Sequence, residues 1–237
     1  MMTSVSLIIP VFNEERMLPR FLCNLDGTMI HEIIFVDGGS QDQTMRLLEN
    51  WKKEKASDPR NRSDKIIVSK CRSRAVQMNE GARQATGQIL LFLHADSRLP
   101  SDAIPAIQDQ LANPSIVGGA FHLQIEASHL FLKMISWMAN LRSNYLKLPY
   151  GDQGYFVRRT VFEEIGGYPP LPLLEDVAFF RRLRKKGNII LLKERVLTSP
   201  RRWHKKGMVY TSFRNILILV LYFTGVSPTR LAKWYNA

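Results

Sequence analysis

Val5-Ser6-Leu7-Ile8-Ile9-Pro10-Val11-Phe12-Asn13-Glu14 is the stretch on which the fold class turns. Residues 5–9 form a short apolar run closed by a proline, which reads as a buried strand entering a loop. Leu18, Phe21, Leu22 and Leu25 then recur at helical spacing, and Cys23 within that pattern reads as a small core residue. Residues 32–36 repeat the apolar strand and stop at Asp37-Gly38-Gly39-Ser40. Residues 42–51 return to helical spacing, and the charged residues 52–64 read as a surface loop. A third strand at 66–69, a helix at 74–86 and a fourth strand at 88–93 complete the series. Near-continuous apolar strands alternating with helices predict an α/β fold: a mainly parallel central sheet flanked by helices.

The second half is less regular. Residues 101–111 are helical, 116–125 strand-like, and 130–141 a strongly apolar helix. A strand follows 151–157, a helix spans 175–186, and another strand covers 189–192. Residues 208–235 are helical and apolar, with a break near 225–228. With no repeat and no low-complexity linker, the expected organisation is one domain over 1–205 and a helical appendage over 206–237. Residues 213–223 are apolar almost all round, behind the basic cluster 201–206. Such a helix is expected to be buried by packing or in a homodimer, and next to bind an anionic membrane surface.

The 237 residues carry 33 Lys and Arg against 21 Asp and Glu, a formal charge of +12. That surface attracts anions of every size. Aromatic residues are not interleaved with the basic runs, which disfavours nucleic acid as the partner. Two cysteines support neither a disulfide framework nor a zinc site. The start lacks a basic, apolar leader, and the apolar run at 216–226 falls well short of the ~20 residues that span a bilayer. The expectation is a cytoplasmic protein, peripheral at the inner face of the membrane if it touches one.

Ligands on α/β sheets bind beyond the carboxyl ends of the strands, and the unusual polar residues sit there. Asn13 and Glu14 follow strand one, Asp37 strand two, and His94-Ala95-Asp96 strand four. A carboxylate at that mouth suits Mg2+ or Mn2+, whose shell phosphates complete; taken alone, Asp96 reads first as a turn or cap residue. The glycine turn at Gly38 matches neither a dinucleotide fingerprint nor a phosphate loop. Glu175-Asp176 opens a helix after Pro169-Pro170-Leu171-Pro172. Acids there complement the helix dipole, and a rigid loop presenting Asp176 to a cleft also makes a general base.

Taken in order, these motifs resemble the family 2 glycosyltransferases of the GT-A fold. The matching residues are Ile8 to Glu14, Val36 to Ser40 with Asp42 and Thr44, and Asn79, Gly81, Ala82 and Gly87. Leu91-Phe92-Leu93-His94-Ala95-Asp96, Gly151-Asp152-Gln153, Gly166-Gly167-Tyr168, Leu174-Glu175-Asp176 and Arg201-Arg202-Trp203 follow. Each is weak alone, and their order makes the case. The chain is most similar to a small bacterial subgroup with Leu-His-Ala-Asp and Ser-Pro-Arg-Arg-Trp motifs, linked by gene context to arsenosugar biosynthesis. That link does not name an acceptor.

The resemblance implies a nucleotide-diphosphate sugar as donor, expected to be a uridine or guanosine one, and an acceptor hydroxyl of unknown identity. Pro10, Phe12, Asn13, Glu14 and Asp37 would hold the nucleobase and ribose, and Arg74 would lie near the base or the phosphates. Gly38, Asn79, His94 and Ala95 would belong to the same donor site, with His94 able to contact ribose or metal. Asp96 would hold the divalent metal, and Arg201, Arg202 and Trp203 would close over the diphosphate. Gly151, Asp152, Gln153 and Glu175 would face the acceptor. Asp176 would deprotonate it for an inverting displacement. Two departures stand out: His94 occupies the first position of the usual Asp-x-Asp, and Ser199-Pro200-Arg201-Arg202-Trp203 replaces Gln-x-x-Arg-Trp. A nucleotidyltransferase would want a glycine-rich basic loop after strand one, which is missing. A degenerate transferase serving as an anion-surface binding module explains the charge but not the aligned Asp37, Asp96 and Asp176.

Overall fold

A computed structural model describes residues 3–25, 28–55, 62–127, 129–201 and 207–236. In chain order the elements are β1 (Val5–Val11), α1 (Leu18–Cys23), β2 (Glu32–Asp37), α2 (Thr44–Lys55), β3 (Lys65–Val68), α3 (Arg74–Gln84) and β4 (Ile89–Phe92). Then come β5 (Ser97–Arg98), α4 (Ala103–Gln110), β6 (Ile116–Ile125), α5 (Leu130–Leu146) and a 3-10 turn (Gly151–Gln153). β7 (Tyr155–Arg158), α6 (Arg159–Glu164), α7 (Glu175–Leu183), β8 (Asn188–Thr198), α8 (Met208–Phe223) and α9 (Pro228–Asn236) complete the chain.

One eight-stranded sheet runs in the order β3-β2-β1-β4-β7-β6-β8-β5. The first four strands are parallel, as the buried apolar runs predict. β7 then enters antiparallel between β4 and β6, β6 and β8 pair in parallel, and β5 closes the edge antiparallel to β8. Every residue of β1 is buried, and successive side chains serve opposite layers. Leu7, Ile9 and Val11 join the core with Leu18 and Phe21 of α1 and Leu48 and Trp51 of α2. Ile8 joins the other face with Ala75, Met78 and Ala82 of α3 and Phe179 and Phe180 of α7. Gly81 lets α3 press onto the sheet, since a Cβ there would lie 2.5 Å from Ile8 Cγ2.

Several boundaries differ from the sequence reading. α2 continues through Lys55, so residues 52–55 are helix rather than loop. Cys23 is exposed, because Leu18, Phe21 and Leu22 take the buried face of α1 and leave Cys23 on the other. β8 runs well past 192, and β5 is too short to show a period. The largest difference concerns α8, which docks by Thr211, Arg214 and Ile218 while Tyr210, Phe213, Ile216, Val220 and Phe223 stay exposed. Among the described residues one side of the helix is covered, with Leu219 and Tyr222 partly buried beside it, although apolar residues occur on its other sides too. No helix among the described residues is long and apolar enough to cross a membrane.

Candidate active site

Two clefts adjoin at the carboxyl ends of β1 and β4. The larger, about 890 Å³, is walled by Pro10, Val11, Phe12 and Glu14 beyond β1, by Arg72, Arg74 and Gln77 around α3, and by His94, Ala95 and Asp96 beyond β4. Pro170, Leu171, Pro172 and Leu173 form its far wall, and Arg201 its rim. The smaller, about 110 Å³, contains Tyr150, Gly151, Asp152, Glu175 and Asp176 together with Asn215, Ile218 and Tyr235. Arg74, His94, Leu173 and Glu175 line both, so they are the seam between the clefts.

On the large side, Arg72 lies over the Phe12 ring at 3.8 Å, a cation–π contact that gives the cleft a flat wall. Gln77 is buried, and its Nε2 donates to Val11 O at 2.9 Å and Val36 O at 2.7 Å, tying β1, β2 and α3 beneath the cleft. Arg201 joins the ends of the chain: its guanidinium meets both carboxylate oxygens of Glu14 at 2.5 Å and Asp96 Oδ2 at 3.2 Å. The hydrogen bond to Glu14 pushes the Arg201 pKa up against the opposing effect of burial, and the nearby Asp96 charge adds to it.

Asp176 is the second residue of α7, which begins after Leu174, whose left-handed φ of 61° turns the proline loop sharply into the helix. Val177 N donates to its Oδ1 at 2.7 Å, and Gly151 N donates to its Oδ2 at 2.9 Å. Tyr155 Oη lies 3.3 Å from the same Oδ2 and 3.1 Å from Pro149 O. Burial first, then the Asp176 charge, raises the Tyr155 pKa well above its ordinary value, so this hydroxyl keeps its proton. Burial pushes the Tyr150 hydroxyl up to about 12 as well. The His94 ring packs on Gly151, where a Cβ would lie 2.9 Å from His94 Cε1 and 3.7 Å from Asp176 Oδ2. Behind the loop, Tyr168 stacks on Phe179 at 4.3 Å, and Phe92 meets Tyr168 edge-on at 5.2 Å. Such pairs each contribute ~0.5–1.5 kcal/mol beyond burial and fix the start of α7.

Of the residues singled out from sequence, Pro10, Phe12, Glu14, Arg74, His94, Ala95, Asp96 and Arg201 meet in the large cleft, and Gly151, Asp152, Glu175 and Asp176 touch the small one. Others frame the clefts without lining them. Asp37 is buried and caps its own turn, with Gly39 N and Ser40 N both at 2.8 Å from Oδ2. Asn13 Oδ1 accepts from Gln41 N, and Gly38 packs on the Gln77 amide. Asn79 clips both backbone groups of Tyr168. Gln153 is fully buried and binds Phe121 O, Ser143 Oγ and Tyr150 N, which makes it a brace for the turn rather than a wall of the pocket. Arg202 and Trp203 lie outside the described residues. The sequence reading missed Arg72, Gln77, Tyr155 and the α8–α9 contribution. Gln77 alone left a signal there, as a polar residue within the apolar stripe of α3.

Comparisons with known proteins agree with this architecture. The pattern of Glycosyl transferase family 2 matches residues 6–166. The undecaprenyl-phosphate 4-deoxy-4-formamido-L-arabinose transferase of Pectobacterium carotovorum is 32% identical over 144 residues, covering 58% of this chain and 42% of the relative. Its counterpart from Yersinia pestis is 31% identical over 143 residues, with the same coverage of 58% and 42%. The chain thus spans less than half the length of these relatives. Among solved structures, a mannosyltransferase from Pyrobaculum calidifontis in complex with GDP-Man and Mn2+ superposes with a TM-score of 0.71 at 19% identity, over 90% of this chain and 60% of that one. Staphylococcus aureus TarS in complex with UDP-GlcNAc gives 0.65 at 17% identity, over 83% and 58%. With the family pattern covering β1 through α6 and the fold shared with these GT-A structures, the chain belongs to glycosyl transferase family 2.

Proposed function

We propose that this chain transfers a sugar from a nucleoside-diphosphate donor to an acceptor hydroxyl, by an inverting, Mg2+- or Mn2+-dependent displacement. The observation that carries the reading is the seam: Asp96 and Asp176 lie in separate clefts that share Arg74, His94 and Glu175. A donor in the large cleft and an acceptor in the small one would meet there, which supplies the proximity a bimolecular transfer needs.

The Phe12–Arg72 wall suits a flat nucleobase, and Arg74 and Arg201 suit the diphosphate. Among the described residues no group of three or more His, Cys, Asp or Glu could hold a metal unaided. Asp96, with its side chain only 8% exposed at the cleft floor, fits an ion whose shell is completed by phosphate oxygens. When bound, such an ion neutralises charge on the departing diphosphate. The guanidinium groups of Arg74 and Arg201 bring positive charge to the same region. Asp176 takes the acceptor proton, its carboxylate aimed by Gly151 N and the protonated Tyr155 hydroxyl.

The character of the small cleft argues for a hydroxyl acceptor. Asp152, Glu175 and Asp176 face Arg74, which already lies 3.8 Å from Glu175. A phosphate acceptor, as the relatives' name indicates for them, would meet more carboxylate than guanidinium here.

Thermal shift against a panel of nucleoside-diphosphate sugars, with and without Mn2+, tests the reading. A donor-specific, metal-enhanced shift is expected, and no shift with any donor would count heavily against it. With that donor, Asp176→Asn is expected to lower transfer by ~100-fold or more, the range of a lost general base, while donor affinity stays unchanged. Asp96→Ala is expected to remove the metal-dependent part of donor binding.

A further inference from the structure

We propose that this chain docks on an anionic lipid bilayer through the exposed stripes of α5 and α8, with the basic end of α7 joining them. On α5, Met134, Trp137, Leu141 and Tyr145 recur at helical spacing and face solvent, with Trp137 61% and Tyr145 79% exposed. On α8, Tyr210, Phe213, Ile216, Val220 and Phe223 do the same, with Phe213 66% exposed. Single exposed apolar residues need no explanation, whereas two such stripes with aromatic members do. Neither helix contains an acidic residue.

α7 connects the two stripes physically. Arg181 lies 5.9 Å from the ring centroids of both Tyr222 and Phe223 on α8, and Arg184 Nη1 donates to Leu146 O at the end of α5 at 2.9 Å. Arg181, Arg182, Arg184, Lys185 and Lys186 are all exposed along this band. Apolar side chains flanked by cations match the boundary between acyl chains and anionic headgroups, and Trp and Tyr prefer that depth. A second copy of the chain is the poorer occupant. A twofold interface sets a patch against itself, so this cationic band would face its own image.

Docking requires nothing from the transferase reading. If that reading holds, the bilayer also selects the acceptor. The pocket around Asp176 is bounded by Tyr150 and Gly151 just beyond α5 and by Asn215 and Ile218 of α8, so an acceptor hydroxyl carried on a lipid would enter between the two docked helices.

Flotation of the full chain with phosphatidylcholine vesicles, with and without phosphatidylglycerol and lacking any sugar donor, is the test. The chain is expected to float with the anionic vesicles and to remain behind with neutral ones. Trp137→Glu combined with Phe213→Glu is expected to reduce flotation ~10-fold or more, since two apolar anchors become charges that anionic lipid repels. Both residues are exposed, and circular dichroism checks that the variant folds. Failure of the wild type to float, or equal flotation of the variant, overturns the proposal. So does a dimer in sedimentation that the same variant dissociates without any vesicle binding, because the face is then an interface between copies. Absence of transfer by the wild-type chain, with flotation intact, would strike the transferase reading alone.

Discussion

At Gly151 a single absent Cβ lets three groups converge. Its N–H holds Asp176 Oδ2 at 2.9 Å while the His94 ring occupies the space a side chain would take. Gly151→Ala is expected to push that ring aside and lower kcat by ~10–100-fold, because small misplacements of reacting groups cost that much. Thermal stability should fall only slightly, and an unchanged kcat would remove His94 and Gly151 from the positioning role. Asp96 and Asp176 could be picked out in the sequence because each carboxylate follows a recognisable strand or opens a recognisable helix. Tyr155 could not, since its hydroxyl reaches Asp176 only after β7 inserts antiparallel beside β4. Arg72 and Phe12 are sixty residues apart in sequence and become one wall only through β1 and α3 packing. Asp37 shows the converse: the carboxylate is plain in the sequence, but whether it faces a ligand or its own turn depends on geometry.

At the opposite, amino-terminal edge of the sheet, Glu32 ties several elements together. Ser6 Oγ of β1 donates to it at 2.6 Å, Lys65 Nζ of β3 at 2.9 Å, and Thr86 Oγ1 before β4 at 2.8 Å. Burial alone would raise its pKa, but the hydrogen bonds from Ser6, Thr86 and Lys65 outweigh it and hold the carboxyl at about 2 instead of the ordinary 4.5. A depressed folded-state value means stabilisation that is complete above the unfolded value and lost as pH falls through the folded one. Glu32 therefore contributes at neutral pH and loses its contribution between pH 4.5 and about 2, worth roughly 3 kcal/mol at most. Urea midpoints measured down this range should drop for the wild type and much less for Glu32→Gln, which should start lower; parallel curves would refute the role. Element positions were largely readable, β6 to the residue, because apolar period and turn residues are local signals. The partners of elements were not. The pattern of α8 announces an apolar helix, but nothing local says that Thr211, Arg214 and Ile218 would be the residues it buries, with Leu219 and Tyr222 partly covered beside them.

Seen across the whole molecule, the segment expected to be an appendage reaches the cleft that holds Asp176. Asn215 and Ile218 of α8 and Tyr235 of α9 complete the cleft that holds Asp176, while Leu219 and Tyr222 pack on the core beneath α7. None of them touches the larger cleft, whose walls among the described residues come from residues up to Arg201. Donor and acceptor recognition would then be divided along the chain, with the family pattern at 6–166 supplying most of the donor side and the carboxyl-terminal helices tuning the acceptor side. Ile218 offers a clean separation, being 5% exposed and at the wall of the small cleft only. Ile218→Ala removes apolar contact from that wall and is expected to raise acceptor KM ~10-fold while leaving donor affinity untouched, the pattern of a lost binding contact rather than lost chemistry. The cavity it opens should lower stability by ~2–4 kcal/mol, so the comparison belongs well below the unfolding midpoint. Titrating donor and acceptor separately decides the matter. Equal weakening of both would mean that α8 merely braces the fold, whereas a change confined to the acceptor makes residues 207–236 part of the specificity machinery.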